Sequence, residues 1–222
     1  MNAHVFRLLD REETEQVLAA LANARFADGR ATAHGTAKGV KNNLQTEFED
    51  ESLAIPDRIL QNALQRNEAF NAFAQPKAIR IPMYSRYEPG MHYGDHVDNA
   101  MMGGAAKIRT DLSMTLFLSP PESYDGGELV IRGGAGESYF KLDAGEAVVY
   151  PSTSIHQAAP VTKGVRMAAV TWIQSMIRDG GLREIVWDVW RLQQRTAAIE
   201  DMELALLMSK TYNNLIRYAA EP

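Results

Sequence analysis

Val165-Arg166-Met167-Ala168-Ala169-Val170-Thr171-Trp172-Ile173-Gln174 reads as a β-strand. Branched and aromatic residues recur through it, and alternation places Arg166, Ala168, Val170 and Trp172 on one face. Upstream, five further segments share this character: 78–87, 112–119, 128–132, 138–142 and 147–150. Each is bounded by Gly, Pro, Asp or Ser. Pro82 interrupts the first of them and predicts a bulge or a sheet edge there. Many short strands separated by turns favour a sandwich or a barrel over an α/β sheet. The expected class is therefore mainly β with flanking helices.

The flanks read differently. Asp10 with Glu13 has the form of a helix cap, and Val17, Leu18 and Leu21 follow at helical spacing. Residues 26–43 are rich in Gly, Ala and Thr and read as loop with a short strand at most. A second helix is expected near Pro56, with Ile59, Leu60, Ala63 and Leu64 as its buried stripe. After Asp179-Gly180-Gly181, apolar residues again recur every three to four positions. This predicts two helices that pack on the barrel or on a second subunit, which would make a homo-oligomer. We divide the chain into a domain of residues 1–178 and a helical extension of residues 179–222, too short to fold alone.

The 222 residues give room for one domain, or one with a small appendage, and a 45% hydrophobic share is enough for a core. The net charge of −5, without a Lys/Arg cluster, argues against a nucleic-acid surface. No run approaches the ~20 apolar residues of a membrane span. The first ten residues lack the apolar stretch of a signal peptide. There is no cysteine, so a disulfide scaffold and a cysteine zinc site are excluded. The cytoplasm is the expected compartment.

His96-Val97-Asp98 carries the strongest chemical signal. Residues i and i+2 of a strand project to one face, so both side chains can reach one ion. His156 is the candidate third ligand; antiparallel pairing would bring it opposite the first two. Two imidazoles and one carboxylate on one side of an iron ion leave its other positions open. The rival pair, His92 and His96, would need a helix that Pro89, Gly90 and Gly94 oppose. His92 is read as a pocket-rim or surface residue, and His4 and His34 as solvated or capping residues.

Arg166 on an otherwise apolar face is costly to bury unless it is paired. It is either bonded to a carboxylate of the protein, such as Asp143 or Glu146, or it clamps a dicarboxylate ligand. Lys163 is an alternative cation, placed in a turn. Tyr87 is a second candidate for the ligand carboxylate. Ser113, Thr115 and Phe117 share one face of their strand and are candidates to line the same cavity. The small, apolar stretch 99–108 reads either as a lid or as a plain surface loop.

Taken together these residues resemble the prolyl/lysyl hydroxylase branch of the Fe(II)/2-oxoglutarate dioxygenases. The likeness is carried by Tyr87-Glu88-Pro89-Gly90, His96-Val97-Asp98-Asn99, Leu116-Phe117-Leu118-Ser119, Gly126-Gly127-Glu128-Leu129, His156 and Val165-Arg166, in that order. With its helical flanks the whole chain resembles the bacterial PKHD-type hydroxylases. The resemblance implies a double-stranded β-helix, a cupin-like jelly roll with the metal at one end. It implies Fe(II) held by His96, Asp98 and His156, and 2-oxoglutarate held at its distal carboxylate by Arg166, with Tyr87 nearby. Molecular oxygen would be consumed, succinate and CO2 released, and L-ascorbate used to keep the iron ferrous. One departure is Phe117, where some oxygen-sensing prolyl hydroxylases carry a Tyr that can donate to the co-substrate. The substrate is open between a prolyl or lysyl side chain of a protein and a small metabolite. The competing reading is a non-catalytic cupin-like protein that senses a metal or a small acid.

Overall fold

The computed structural model describes residues 3–33, 35–47, 50–104, 107–134 and 136–221. His34, and Ala105-Ala106 of the 99–108 stretch, lie outside the described residues.

Two antiparallel sheets form the centre. The larger has the order His4–Arg7, Glu146–Pro151, Leu112–Phe117, Arg166–Ser175, Met83–Tyr87, Leu44–Thr46, Phe26–Asp28. The smaller has the order Gly136–Phe140, Leu129–Gly133, Ile155–Ala158, His92–His96, Lys41–Asn42. From Met83 onward the chain alternates between them. It passes from Met83–Tyr87 to His92–His96, back to Leu112–Phe117, across to Leu129–Gly133 and Gly136–Phe140, back to Glu146–Pro151, across to Ile155–Ala158, and home to Arg166–Ser175. That winding is a jelly roll. Phe117, Val148 and Tyr150 of the larger sheet pack against Leu129 and Ile131 of the smaller, which closes one end.

The strands expected from sequence are present within a few residues of their limits. Pro82 does break the first: Pro76–Ile79 and Met83–Tyr87 are separate strands, both paired with Arg166–Ser175, and the chain bows outward between them. A proline has no N–H for the ladder, so pairing resumes only after it. Residues 26–43 hold more structure than their composition suggested. They form the strand Phe26–Asp28, a 3-10 turn Gly29–Thr32, a short helix Gly35–Gly39 and the strand Lys41–Asn42. Both strands gain their hydrogen bonds from distant partners, Leu44–Thr46 and His92–His96, which no local pattern announces.

Helices cover the outer face of the larger sheet. Arg11–Leu21 opens with a full capping box, Asp10 accepting from the Glu13 N–H and Glu13 reaching back to the Asp10 N–H; such caps stabilise by ~0.5–2 kcal/mol. Ala54–Arg66 buries Pro56, Leu60, Ala63 and Leu64, the expected stripe with Ile59 at its margin. A third helix, Glu68–Ala74, was not foreseen. It contributes Phe70 and Phe73 to the main core with Phe6, Leu112, Met114 and Leu116. The two C-terminal helices are Gly180–Thr196 and Met202–Ala219. Trp187 of the first joins that core. His4 is not a solvated residue: its ring lies 4.5 Å from Phe73 and 5.6 Å from Trp187. Among the described residues no helix is long and apolar enough to cross a membrane.

Candidate metal centre

Strand pairing builds the site. Ile155–Ala158 runs antiparallel to His92–His96 with His156 directly opposite His96. Their rings are 4.2 Å apart, tilted by 53°. His156 therefore sits on a strand rather than in a turn. Asp98 lies just past the end of its strand, where the chain turns back toward the larger sheet. Its Oδ2 is 3.8 Å from His156 Nε2. One ligand atom from each of His96, Asp98 and His156 lies within 4.8 Å of the others.

The hydrogen bonds around this cluster suit a metal. His96 Nδ1 meets the Gly94 carbonyl at 2.8 Å, and His156 Nδ1 meets the Ser154 carbonyl at 3.1 Å. A carbonyl only accepts, so each Nδ1 carries a proton and Nε2 is the ring nitrogen left to ligate. The same bond, to the carbonyl two residues earlier, sets both tautomers. Burial, then the neighbouring His156, pushes the His96 imidazole down to about 4, so it is neutral at pH 7. Tyr93 stacks on its face at 3.6 Å. Asp98 Oδ2 accepts from Ser113 Oγ at 2.5 Å, and Ser113 is in turn bonded to Ser152 Oγ at 2.8 Å. Two imidazoles with Nε2 turned to the cluster and an oriented carboxylate are a fitting donor set for a divalent ion.

The cluster opens into a cavity of about 420 Å³ between the sheets. Arg166 lies on its floor, 2% exposed and the largest fully buried side chain of the fold. It does not pair with Asp143 or Glu146; those acids bind Arg7 at the far edge of the sheet. Among the described residues no carboxylate pairs with Arg166, and its Nε has no hydrogen-bond partner. The guanidinium lies 5.1 Å from the Tyr87 ring and 5.2 Å from the Phe117 ring. Tyr87 is its cross-strand partner, which fixes the first of these contacts. Gly127 makes room for the side chain: at φ +70°, a Cβ there would come within 2.9 Å of Arg166 Cδ.

Ser113 and Thr115 line the cavity, while Phe117 packs behind Arg166. Asn99, Met101, Met102 and Gly103 line it too, held by a ribbon between Met101–Met102 and Ile108–Arg109. Lys163 is exposed and His92 does not face the cavity. Sequence reasoning missed Thr32, Lys41, Gln45, Tyr93 and Tyr150, all in the lining. Thr32 and Lys41 sit in the segment read as loop with a short strand at most, and Gln45 lies just beyond it. Only its pairing with His92–His96 carries Lys41 inward.

Comparison with known proteins places this geometry. Residues 82–174 match the 2OG-Fe(II) oxygenase superfamily. A PKHD-type hydroxylase of Synechococcus elongatus is 44% identical over 216 residues, 96% of this chain and 97% of that protein. One from Thermosynechococcus vestitus is 42% identical over 223 residues, covering 100% of both. Among solved structures, a Trichoplax adhaerens prolyl hydroxylase in complex with a hypoxia inducible factor peptide fragment aligns with TM-score 0.57 and 14% identity. That alignment spans 78% of this chain and 83% of that one. The 2OG complex of a viral collagen prolyl hydroxylase from Paramecium Bursaria Chlorella virus-1 gives TM-score 0.55 and 18% identity, over 79% and 97%. These two share the jelly-roll fold. The near full-length likeness in sequence goes further and sets aside the non-catalytic sensor: the chain belongs to the PKHD-type hydroxylases of the 2OG-Fe(II) oxygenase superfamily, and is an iron- and 2-oxoglutarate-dependent dioxygenase.

Proposed function

We propose that His96, Asp98 and His156 hold the ferrous ion and that Arg166, with Tyr87 beside it, binds the distal carboxylate of 2-oxoglutarate. The reaction is hydroxylation of an unactivated C–H bond of a substrate that enters from the cavity mouth. The observation that carries this reading is Arg166: a buried guanidinium that no carboxylate among the described residues pairs with, in the same cavity as His96, Asp98 and His156. A permanently charged fork in that position needs an anion from outside. When bound, iron and 2-oxoglutarate together supply the oxygen activation. The protein orients both and excludes water.

The remaining parts of the reading are these. L-ascorbate serves as the reductant that keeps the iron ferrous. The cytoplasm is the compartment, since reducing conditions protect the ferrous state. Residues 1–178 form the catalytic domain and residues 179–222 the extension. Met202, Leu206 and Leu207 are exposed on the last helix; they favour a homo-oligomer through this extension, which sedimentation would detect. The substrate is a protein side chain or a small metabolite.

The test is anaerobic addition of Fe(II) and 2-oxoglutarate, which should give a weak visible charge-transfer band and, on admitting air, succinate. Arg166→Ala should retain the metal and bind 2-oxoglutarate more weakly by ~1.5–3 kcal/mol, the worth of a charge-assisted hydrogen bond. An unaltered co-substrate affinity in that variant would show that another group is the clamp.

A further inference from the structure

Lys41 is a second buried cation in the same cavity, and the iron and 2-oxoglutarate reading does not use it. It is 5% exposed. Its strand pairs with His92–His96 so that Lys41 lies opposite Tyr93. Nζ is 4.9 Å from the centroid of the Tyr93 ring, the same ring that stacks on His96. Nζ donates to Thr32 Oγ1 at 2.9 Å and to Gln45 Oε1 at 3.0 Å. Gln45 is held in turn by donating to Ser85 Oγ at 3.1 Å. Both acceptors are neutral, and among the described residues no carboxylate forms an ion pair with Lys41. An ammonium has three donors, so one remains unspent. Burying a charge without a counter-ion is unfavourable. Thr32 Oγ1 already donates to Gln45 Oε1, so no charge is needed to tie the two together.

The charge of the cavity points the same way. Among the described residues its cations are Lys41, Arg80 and Arg166 and its one carboxylate is Asp98, although the chain as a whole carries −5. A divalent ion, Asp98, the 2-oxoglutarate dianion and Arg166 together sum to neutrality. Lys41 and Arg80 are then left over; Arg80 is only partly buried, so Lys41 is the deeply buried charge that lacks an anion. Met83, Val97, Met101 and Trp172 give the same cavity an apolar lining. Lys41, Thr32 and Gln45 lie outside residues 82–174, the part that matches the superfamily. The shared iron chemistry therefore does not account for them.

We propose that Lys41 anchors a carboxylate of the primary substrate, a small acid whose apolar body presents a C–H bond toward His96, Asp98 and His156. The proposal rests on the iron and 2-oxoglutarate reading above. Burial draws the Lys41 ammonium down to about 8, with Asp98 pulling the other way, so the charged form still prevails at neutral pH.

The test uses the full chain loaded with Mn(II), which does not turn over, and saturated with 2-oxoglutarate. Isovalerate and its uncharged amide, isovaleramide, are added as probes, and broadening of their methyl resonances by Mn(II) reports a probe held near the metal. Isovalerate should bind at least tenfold more tightly than isovaleramide, and Lys41→Met should reduce that preference below twofold. Lys41→Gln keeps a polar partner for Thr32 and Gln45 and should lose the preference equally. A preference that survives both substitutions overturns the proposal. So does a tenfold loss of 2-oxoglutarate affinity in either variant, because Lys41 would then belong to the co-substrate. Failure of the unaltered protein to bind Mn(II) and 2-oxoglutarate would sink the underlying reading. Intact co-substrate binding with equal broadening of the two probes would sink this one alone.

Discussion

The strand Leu112–Phe117 has two faces, and all six of its residues are buried. Leu112, Met114 and Leu116 point toward the helices and join the main apolar core. Ser113 and Thr115 line the cavity, and Phe117 backs Arg166. The neighbouring Arg166–Ser175 repeats the division, with Ala169 and Ile173 in the core and Arg166, Val170 and Trp172 on the cavity. Burial alone does not tell the faces apart; the polarity of what is buried does. A dry face that needs no partner contributes stability. A face with hydroxyls and an unpaired guanidinium gives stability up and holds ligands instead.

That division can be broken by mutation. Asp98→Ala removes the only anionic member of the proposed ligand set while touching no core side chain. Ferrous binding, followed by anaerobic titration, should fall by more than the roughly 10–100-fold that loss of an outer-shell partner costs. Leu116→Ala should cost ~2–5 kcal/mol of unfolding free energy, the range for a buried leucine. Its folded fraction should bind 2-oxoglutarate with unaltered affinity. Arg166→Met should do the reverse. Replacing an unpaired buried charge by an apolar chain is neutral or stabilising, while co-substrate binding is lost. Chemical denaturation and co-substrate titration on the two variants would show whether the faces act independently. Equal damage to both properties in either variant would mean that they do not.

The same division explains what could be read from the sequence. Period-two alternation and turn residues made the central strands legible, because both are local. The helical caps and stripes were legible for the same reason. The order of His96, Asp98, His156 and Arg166 was legible through chemistry, since few purposes gather those side chains. Register was not. The pairing that sets His156 opposite His96, and the one that sets Lys41 opposite Tyr93, joins residues 60 and 52 positions apart along the chain. Loop composition hid the segment 26–43 that holds Lys41, because its strands take their hydrogen bonds from elsewhere. Glu68–Ala74 was missed because seven residues are too few to display a helical period.

A smaller effect tests Lys41 through pH. Its pKa is about 8 when folded, below the ordinary 10.5. Between those values the unfolded chain binds more protons than the folded one, so this group makes stability rise with pH in that window. Below pH 8 both states are protonated and the full cost of the buried charge is present. Unfolding free energies of the unaltered protein minus those of Lys41→Met should therefore climb from pH 8 to 10.5. The slope is at most about 1.4 kcal/mol per unit. A flat difference would mean that the ammonium is well solvated, and the cavity would lose its surplus charge.

Ser113 gives the finest test, because it lies on the cavity face between two core residues of the same strand. Its hydroxyl donates to Asp98 Oδ2 and is bonded to Ser152. This chain fixes the rotation of a carboxylate that stands beyond the end of its own strand. Ser113→Ala leaves that oxygen without its donor, so ferrous affinity should fall by about tenfold, the low end for an outer-shell partner. Stability should change by no more than the ~0.5–1.5 kcal/mol of an ordinary hydrogen bond. Packing alone could also produce such a loss, so shape has to be separated from chemistry. Thr and Val have nearly the same shape, and only Thr has a hydroxyl. If Ser113 orients Asp98, Ser113→Thr should keep the metal affinity that Ser113→Val loses, although both place the same bulk beside Tyr150 and Trp172, its cross-strand partners. Equal losses in Thr and Val would assign the effect to crowding, and the hydroxyl would have no part in holding the metal ligand.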